Sequence, residues 1–176
     1  MSGNLHPIRT TEMLKAGFES PPPRVTGEIN LRELTRIWEH CKNIAQQTET
    51  NYDAQNFLYA VLPDQLWTYF STRARPNPPV DPGENPSYVN GGNPTENTTI
   101  RDQWQLNNKN YEEWKCFNRA LVNRFLSLLP EAYQRSFKSQ QLTANPKLTF
   151  LQVFDWFYSQ YGISTEEEAI KTSPAS

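Results

Sequence analysis

Catalysis and metal binding need reactive side chains held close together, and this sequence offers few places where that happens. His40 stands beside Cys41, a pair that could supply a thiolate with its base, or two ligands to a metal. Adjacent residues of a helix, however, point about 100° apart. The other histidine, His6, and the other cysteine, Cys116, are distant in the chain. The plainer expectation is a core thiol next to a surface histidine, with Cys116, beside Phe117, a second small hydrophobe. The acidic runs Glu112-Glu113 and Glu166-Glu167-Glu168 could act as acid and base. At first-turn or exposed helical positions, carboxylates instead serve the helix dipole and solubility. Gly91-Gly92 lacks the Lys-Ser or Lys-Thr that would complete a phosphate loop. The chain is therefore read as a non-enzyme with no cofactor, no metal and no small-molecule substrate.

A different chemistry lies in residues 101–138. Arg101, Lys109, Lys115, Arg119, Arg124, Arg135 and Lys138 outnumber the acids there and sit near Trp104, Tyr111 and Trp114. Cations interleaved with aromatics can follow a phosphate backbone and stack bases. Arg101, Lys109, Lys115 and Arg119 are the candidate RNA contacts. Aromatics at helical spacing are nonetheless more often core, and scattered cations more often a solvated face. With 17 basic against 19 acidic residues and a formal charge of -2, the whole chain exerts no pull on nucleic acid or on an anionic membrane. Contact with RNA is accordingly expected to be local, weak, nonspecific and steeply salt-dependent.

The elements that must carry these residues read as helices, since no segment alternates with period two for long enough to form a sheet. At 176 residues the chain suits an all-α, single multi-helix domain. Residues 1–29 read as a flexible N-terminal arm, broken by Pro21-Pro22-Pro23, with one weak helical turn over Thr11 to Phe18. Residues 30–171 form the helical domain, and 172–176 a frayed tail. Asn30 can cap a helix whose Leu31, Leu34, Ile37, Trp38, Cys41 and Ile44 make one stripe. Tyr52 to Leu62 reads as a short helix with Ala54, Phe57, Leu58 and Val61 inward, and Asp64 to Phe70 as another behind Pro63. Residues 72–94 are a proline-rich connector. Arg73, Pro76 and Pro79 there have the spacing that a polyproline-binding groove reads, but a self-stiffened spacer is the simpler meaning.

The longest helix is expected from about Thr99 to Leu129. Its later half has a wide apolar arc of Trp114, Phe117, Leu121, Phe125 and Leu128, flanked by Val122, Leu126 and Leu129. Its earlier half sets Trp104 and Leu106 among Arg101, Gln103, Gln105, Asn107 and Asn108, an apolar patch inside a polar rim. Trp104, Leu106 and Tyr111 are thus the interface candidates for self-association. Equally, Trp104 can fold back onto the connector at Pro76 to Pro82. After Pro130, Glu131 to Lys138 forms a short helix with Ala132, Tyr133 and Phe137 inward. Thr149-Phe150-Leu151-Gln152 is then a capping box opening a helix with Leu151, Phe154, Phe157, Tyr158 and Tyr161 apolar, stopped by Gly162. Ser164-Thr165-Glu166-Glu167 is a second capping box. The expected core is Trp38, Phe57, Trp67, Trp114, Leu121, Phe125, Phe154 and Phe157.

The N-terminus has no basic start and no apolar run, so neither export nor membrane insertion is expected. Reduced thiols and an idle sequon at Asn97 follow. The expected compartment is the cytoplasm, with the nucleus left open.

The order of several motifs resembles the Gag region of copia-type LTR retrotransposons. The resemblance is carried by Asn110-Tyr111-Glu112-Glu113-Trp114, by Ala120-Leu121-Val122-Asn123-Arg124-Phe125-Leu126 and by Leu129-Pro130-Glu131-Ala132-Tyr133. It continues through Leu148-Thr149-Phe150-Leu151-Gln152-Val153-Phe154 and Tyr161-Gly162-Ile163-Ser164-Thr165-Glu166-Glu167. Upstream, Tyr59 to Phe70 and the prolines after Arg75 match the family's spacer more loosely. Such a resemblance implies a structural protein that self-associates through helical surfaces into a capsid-type shell around element RNA. The chain departs from the family in lacking a Cys-x-x-Cys zinc knuckle and an Asp-Thr/Ser-Gly protease triplet, so RNA packaging is the implied property least supported. The alternative is a monomeric helical adaptor that binds a protein or peptide in an aromatic groove.

Overall fold

The structure, a computed structural model, describes residues 23, 25–50, 52, 55–86 and 93–162. It is all-α: the described residues hold helices and one isolated bridge, Glu49 to Asn56. The helices are α1 (Leu31–Gln47), α2 (Asp64–Phe70), α3 (Pro94–Ser127), α4 (Glu131–Phe137) and α5 (Phe150–Tyr161), with a π-helical turn over Lys138–Leu142 continuing α4.

Helix starts follow their caps. Asn30 Oδ1 accepts the Glu33 N–H at 3.0 Å and opens α1. In α5 the Thr149 hydroxyl and the Gln152 side chain complete the reciprocal capping box. Helix α3 starts at Pro94, earlier than the expected Thr99, because Asn93 Oδ1 takes the Glu96 N–H at 2.8 Å and Pro94 occupies the first helical position. Gly162 ends α5 where a Cβ would lie 2.3 Å from the Tyr158 carbonyl oxygen. No larger residue fits there without a shift.

Among the described residues the expected helix over Tyr52 to Leu62 is not formed; there, only Leu58–Ala60 makes a 3-10 turn. Every residue from Phe57 to Leu62 is buried, whereas a helix on a surface buries one stripe. Locally, Asn56 Oδ1 takes the Leu58 N–H at 3.0 Å, and the Phe57 N–H reaches the Ala45 and Thr48 carbonyls at 3.1 and 3.2 Å. These bonds compete with helical ones. Ala54 falls outside the described residues.

The core is built on the second half of α3, whose Trp114, Phe117, Leu121, Val122, Phe125 and Leu126 are all buried. Phe57 stacks on Phe117, with centroids 4.0 Å apart and planes 4° from parallel, and Tyr59 stacks on Trp114 at 5.0 Å. On the other side Phe125 meets Phe150 and Phe157 at 5.8 and 5.4 Å. Two members of the expected core, Trp38 and Phe154, are only half-buried. Helix α5 turns Phe150, Val153 and Phe157 inward and leaves Leu151, Phe154 and Tyr158 at the edge. In α4 Phe137 is buried, but Ala132 faces solvent.

The packed domain also begins before Asn30. Val25 and Ile29 are buried, and the Ile29 N–H donates to the Tyr133 hydroxyl at 3.4 Å. The expected arm thus loses its last residues to the core. The helical turn at Thr11 to Phe18, the capping box at Ser164 and the tail 172–176 lie outside the described residues.

Phe125 has no exposed surface and touches three aromatic rings of α5. Phe125→Ala is expected to lower the unfolding free energy by about 3–5 kcal/mol in urea denaturation. A loss below about 1 kcal/mol would mean that the α3–α5 contact is not a packed one.

Candidate functional site

Among the described residues the reactive side chains do not converge. His40, expected at the surface, is 8% exposed, and its Nε2 accepts a hydrogen bond from Arg124 Nε at 3.2 Å. The Cys41 thiol is fully buried, and desolvation pushes its pKa far up, against a smaller downward pull from Arg124. Such a thiol is inert. Cys116 is half-buried and is likewise raised, mainly by desolvation. Glu113, expected to be exposed, is 5% exposed and accepts from the Thr50 hydroxyl. Glu112 is on the surface, paired with Lys115 at 3.2 Å. No group of three His, Cys, Asp or Glu among the described residues could hold a metal. The Glu166 to Glu168 run and His6 lie outside the described residues.

His40 titrates below its ordinary 6.5, first because burial disfavours the imidazolium and second because Arg124 repels it. Between the folded and unfolded pKa values the native chain binds fewer protons than the unfolded one. The corresponding stability is complete above pH 6.5 and is lost as pH falls through that window. Urea unfolding at about pH 7.5 and about pH 5.5 should show the chain less stable at the lower pH, with a smaller difference in His40→Gln. An equal difference in both proteins would remove His40 as its source.

The described start of the connector is tied down. Arg75 Nη2 donates to the Tyr59 carbonyl at 2.9 Å and Nε to the Leu62 carbonyl at 3.0 Å, while Nη1 meets Asp64 at 3.4 Å. Trp67 Nε1 donates to the Arg73 carbonyl at 2.5 Å, and Pro79 is buried. A polyproline ligand offers its prolines to a partner; Pro79 is already packed against its own domain.

Helix α3 carries all the candidate contact residues but separates them. By helical geometry Arg101, Trp104, Tyr111 and Arg119 fall within about 40° of Lys115, whereas Lys109 is about 120° away and Leu106 is on the opposite side. The interface candidates therefore do not form one patch. Trp104 is half-buried, and its indole N–H donates to the Gly83 carbonyl at 3.2 Å, so it clasps the connector. Leu106 is exposed, and Tyr111 is half-buried with Lys115 Nζ 5.1 Å from its ring centroid. Tyr111, Lys115 and Arg119 border one cavity; Arg101 is exposed further up the same face.

Sequence reasoning missed an apolar hollow. Between α1, α2 and α5 runs an open apolar groove of about 560 Å³, walled by Trp38, Leu66, Leu151, Phe154 and Tyr158, with Val61 and Pro63 also lining it. Trp38 and Phe154, expected in the core, are half-buried against it and also form the groove's sides. Trp38 is fixed by its indole N–H to the Val61 carbonyl at 3.0 Å and by an edge contact with Phe70 at 6.0 Å. Lys42 Nζ sits 4.8 Å from the Phe70 ring and 5.2 Å from that of Trp38. The available signal was α5, which has more apolar residues than a single stripe can bury.

No family model, no curated protein and no solved structure matches the chain. Among the described residues no helix is long and apolar enough to cross a membrane.

If Trp104 holds the connector, Trp104→Ala should lower the thermal midpoint by roughly 2–4 °C for each kcal/mol lost and speed proteolysis within residues 72–93, with the mass in solution unchanged. A drop in solution mass at an unchanged midpoint would return Trp104 to the interface.

Proposed function

We propose that the chain is a Gag-like structural protein that associates with copies of itself through helical surfaces, as its resemblance to the copia-type Gag region implies. The single observation that supports this is the α1–α2–α5 groove and its border. Helix α2 puts Leu66 in the wall of the hollow and leaves Tyr69 and Phe70 exposed along the same helix, Tyr69 at 81%. A ridge and a hollow on one face are self-complementary: a two-fold axis would place each copy's α2 ridge in the other's groove. Isolated soluble domains seldom leave large apolar residues clustered in this way. Repeated use of such contacts would give a capsid-type assembly, in the cytoplasm or the nucleus, with weak nonspecific RNA contact from α3.

The second reading, a monomeric adaptor, draws on the same groove, since a hollow of this kind also accepts the apolar face of an amphipathic helix from another protein. The two readings separate on solution mass. By light scattering, the wild type should rise above its 20.4 kDa monomer mass as concentration increases. Leu66→Glu should stay at the monomer mass with its thermal midpoint kept, because Leu66 is already 41% exposed. A wild type that remains monomeric at high concentration, in low and high salt alike, would end the self-association reading and favour the adaptor.

A further inference from the structure

A second cavity, of about 360 Å³, opens where the loop before α5 passes over the middle of α3, and it shares no lining residue with the apolar groove. Its volume falls within the range of small-ligand sites, about 300–1,000 Å³. Two chemistries meet in it. Tyr111, Trp114, Val122, Leu142 and Leu148 give it an apolar, partly aromatic lining. Lys115 and Arg119 from α3 and Lys147 from the loop bring three positive charges to its border.

The cavity floor is built rather than incidental. Asn118, buried at 4% exposure, uses its amide within the fold: Nδ2 donates to the Trp114 carbonyl at 3.1 Å and Oδ1 accepts the Phe150 N–H at 2.9 Å. Tyr59 backs Trp114, with ring planes 15° apart. Of the three cations, Lys115 is paired with Glu112 at 3.2 Å. Lys115 also lies over the Tyr111 ring, so aromatic face and charge are presented together. A ligand matching this lining needs a flat apolar body and an attached anion. An aliphatic acid would leave the rings unused; a neutral aromatic would leave the cations unused.

We propose that this cavity binds a nucleotide unit, its base against the Tyr111 and Leu148 side and its phosphate toward Lys115, Arg119 and Lys147. The same chemistry is offered by a free mononucleotide and by one residue of a single-stranded RNA. For a strand, the α3 face continues beyond the cavity past Asn108 to Trp104, about 10 Å along the helix from Tyr111. A duplex keeps its bases stacked inside and cannot place one in the cavity. The inference rests on the RNA contact proposed for α3 and not on self-association, because the groove and the cavity have separate linings.

The test uses the full chain and three probes: a fluorescein-labelled mixed-sequence single-stranded RNA, the same strand as a duplex, and adenosine monophosphate as competitor. Single-stranded RNA should bind with an affinity that falls as salt rises, and more tightly than the duplex. Lys147→Glu and Arg119→Glu should each weaken it by roughly tenfold or more. Arg36→Glu, the same charge change on α1, should leave it within about twofold. Competition by the mononucleotide would assign the cavity to the free ligand, and its failure beside intact strand binding would assign it to RNA. Lys147 is exposed in a loop, so that variant should keep the wild-type melting curve even if Arg119→Glu does not. Equal weakening by Arg36→Glu, equal affinity for the duplex, or no binding of strand or mononucleotide at low salt would each overturn the proposal.

Discussion

One side chain sets the relation between the two halves of this domain. Asn118 lies in the buried face of α3 and accepts the Phe150 N–H, one of the donors that the start of α5 would otherwise leave unpaired. Its other end is held by the Trp114 carbonyl one turn back. A buried amide with both ends bonded has one acceptable orientation, and leaving either partner unmet costs about 1–3 kcal/mol. The first turn of α5 is thereby fixed over α3. With that start fixed, α5 has a set rotation: Phe150, Val153 and Phe157 face α3, and Leu151, Phe154 and Tyr158 must face the groove. The loop leading to Phe150 is placed by the same bond, which brings Lys147 and Leu148 to the rim of the cationic cavity.

The aromatic stack completes the frame from the other side. Phe57 on Phe117 and Tyr59 on Trp114 join the non-helical segment to α3 through rings, each pair worth roughly 0.5–1.5 kcal/mol beyond its burial. That segment buries every residue from Phe57 to Leu62 and not one stripe, so ring contacts take the place of a helical stripe. Ring packing also overrides the Tyr59 hydroxyl, which is buried without a hydrogen-bond partner among the described residues. Burial first, then Glu113 and Tyr52, raise the pKa of that phenol, with Arg75 opposing. The phenol stays neutral, and the position is held by the face of the ring. Arg75 closes the arrangement by capping the Tyr59 and Leu62 carbonyls from the connector.

Periodicity and caps made α1, α2, the later half of α3 and the start of α5 legible, because those features act within a few residues. Asn30 and Thr149 are examples. What could not be read depends on distant partners. Phe57 to Leu62 looks like a short amphipathic helix until α3 supplies Phe117 and Trp114 as a second wall. His40 looks like a surface residue until Arg124, far along the chain, arrives beside it. Helix α5 has two apolar stripes, and composition alone cannot say which is inward; Asn118 decides. The same ambiguity placed Trp38 and Phe154 in the core when they wall the groove. Of the cavity, Tyr111, Lys115 and Arg119 were visible as a cationic and aromatic helix face. Lys147 was not, since nothing local ties a loop lysine to a helix behind it in sequence.

The two surfaces also differ in what drives binding to them, and that difference keeps them separable. Contacts at the α1–α2–α5 groove would remove apolar area from water, a term that salts excluded from the protein surface strengthen. Contacts at the cationic cavity would release counterions from a phosphate chain, a term that salt weakens. A chain using both would move in opposite directions as ionic strength changes. At low salt the α3 face would be favoured; at high salt the groove would be favoured. With a formal charge of only -2, little overall repulsion between copies would mask either trend. Had the apolar groove and the cationic cavity shared lining residues, a single contact would have mixed the two responses. The groove is lined from α1, α2 and α5 and the cavity from α3 and the loop before α5, with no residue in common, and that separation keeps them apart.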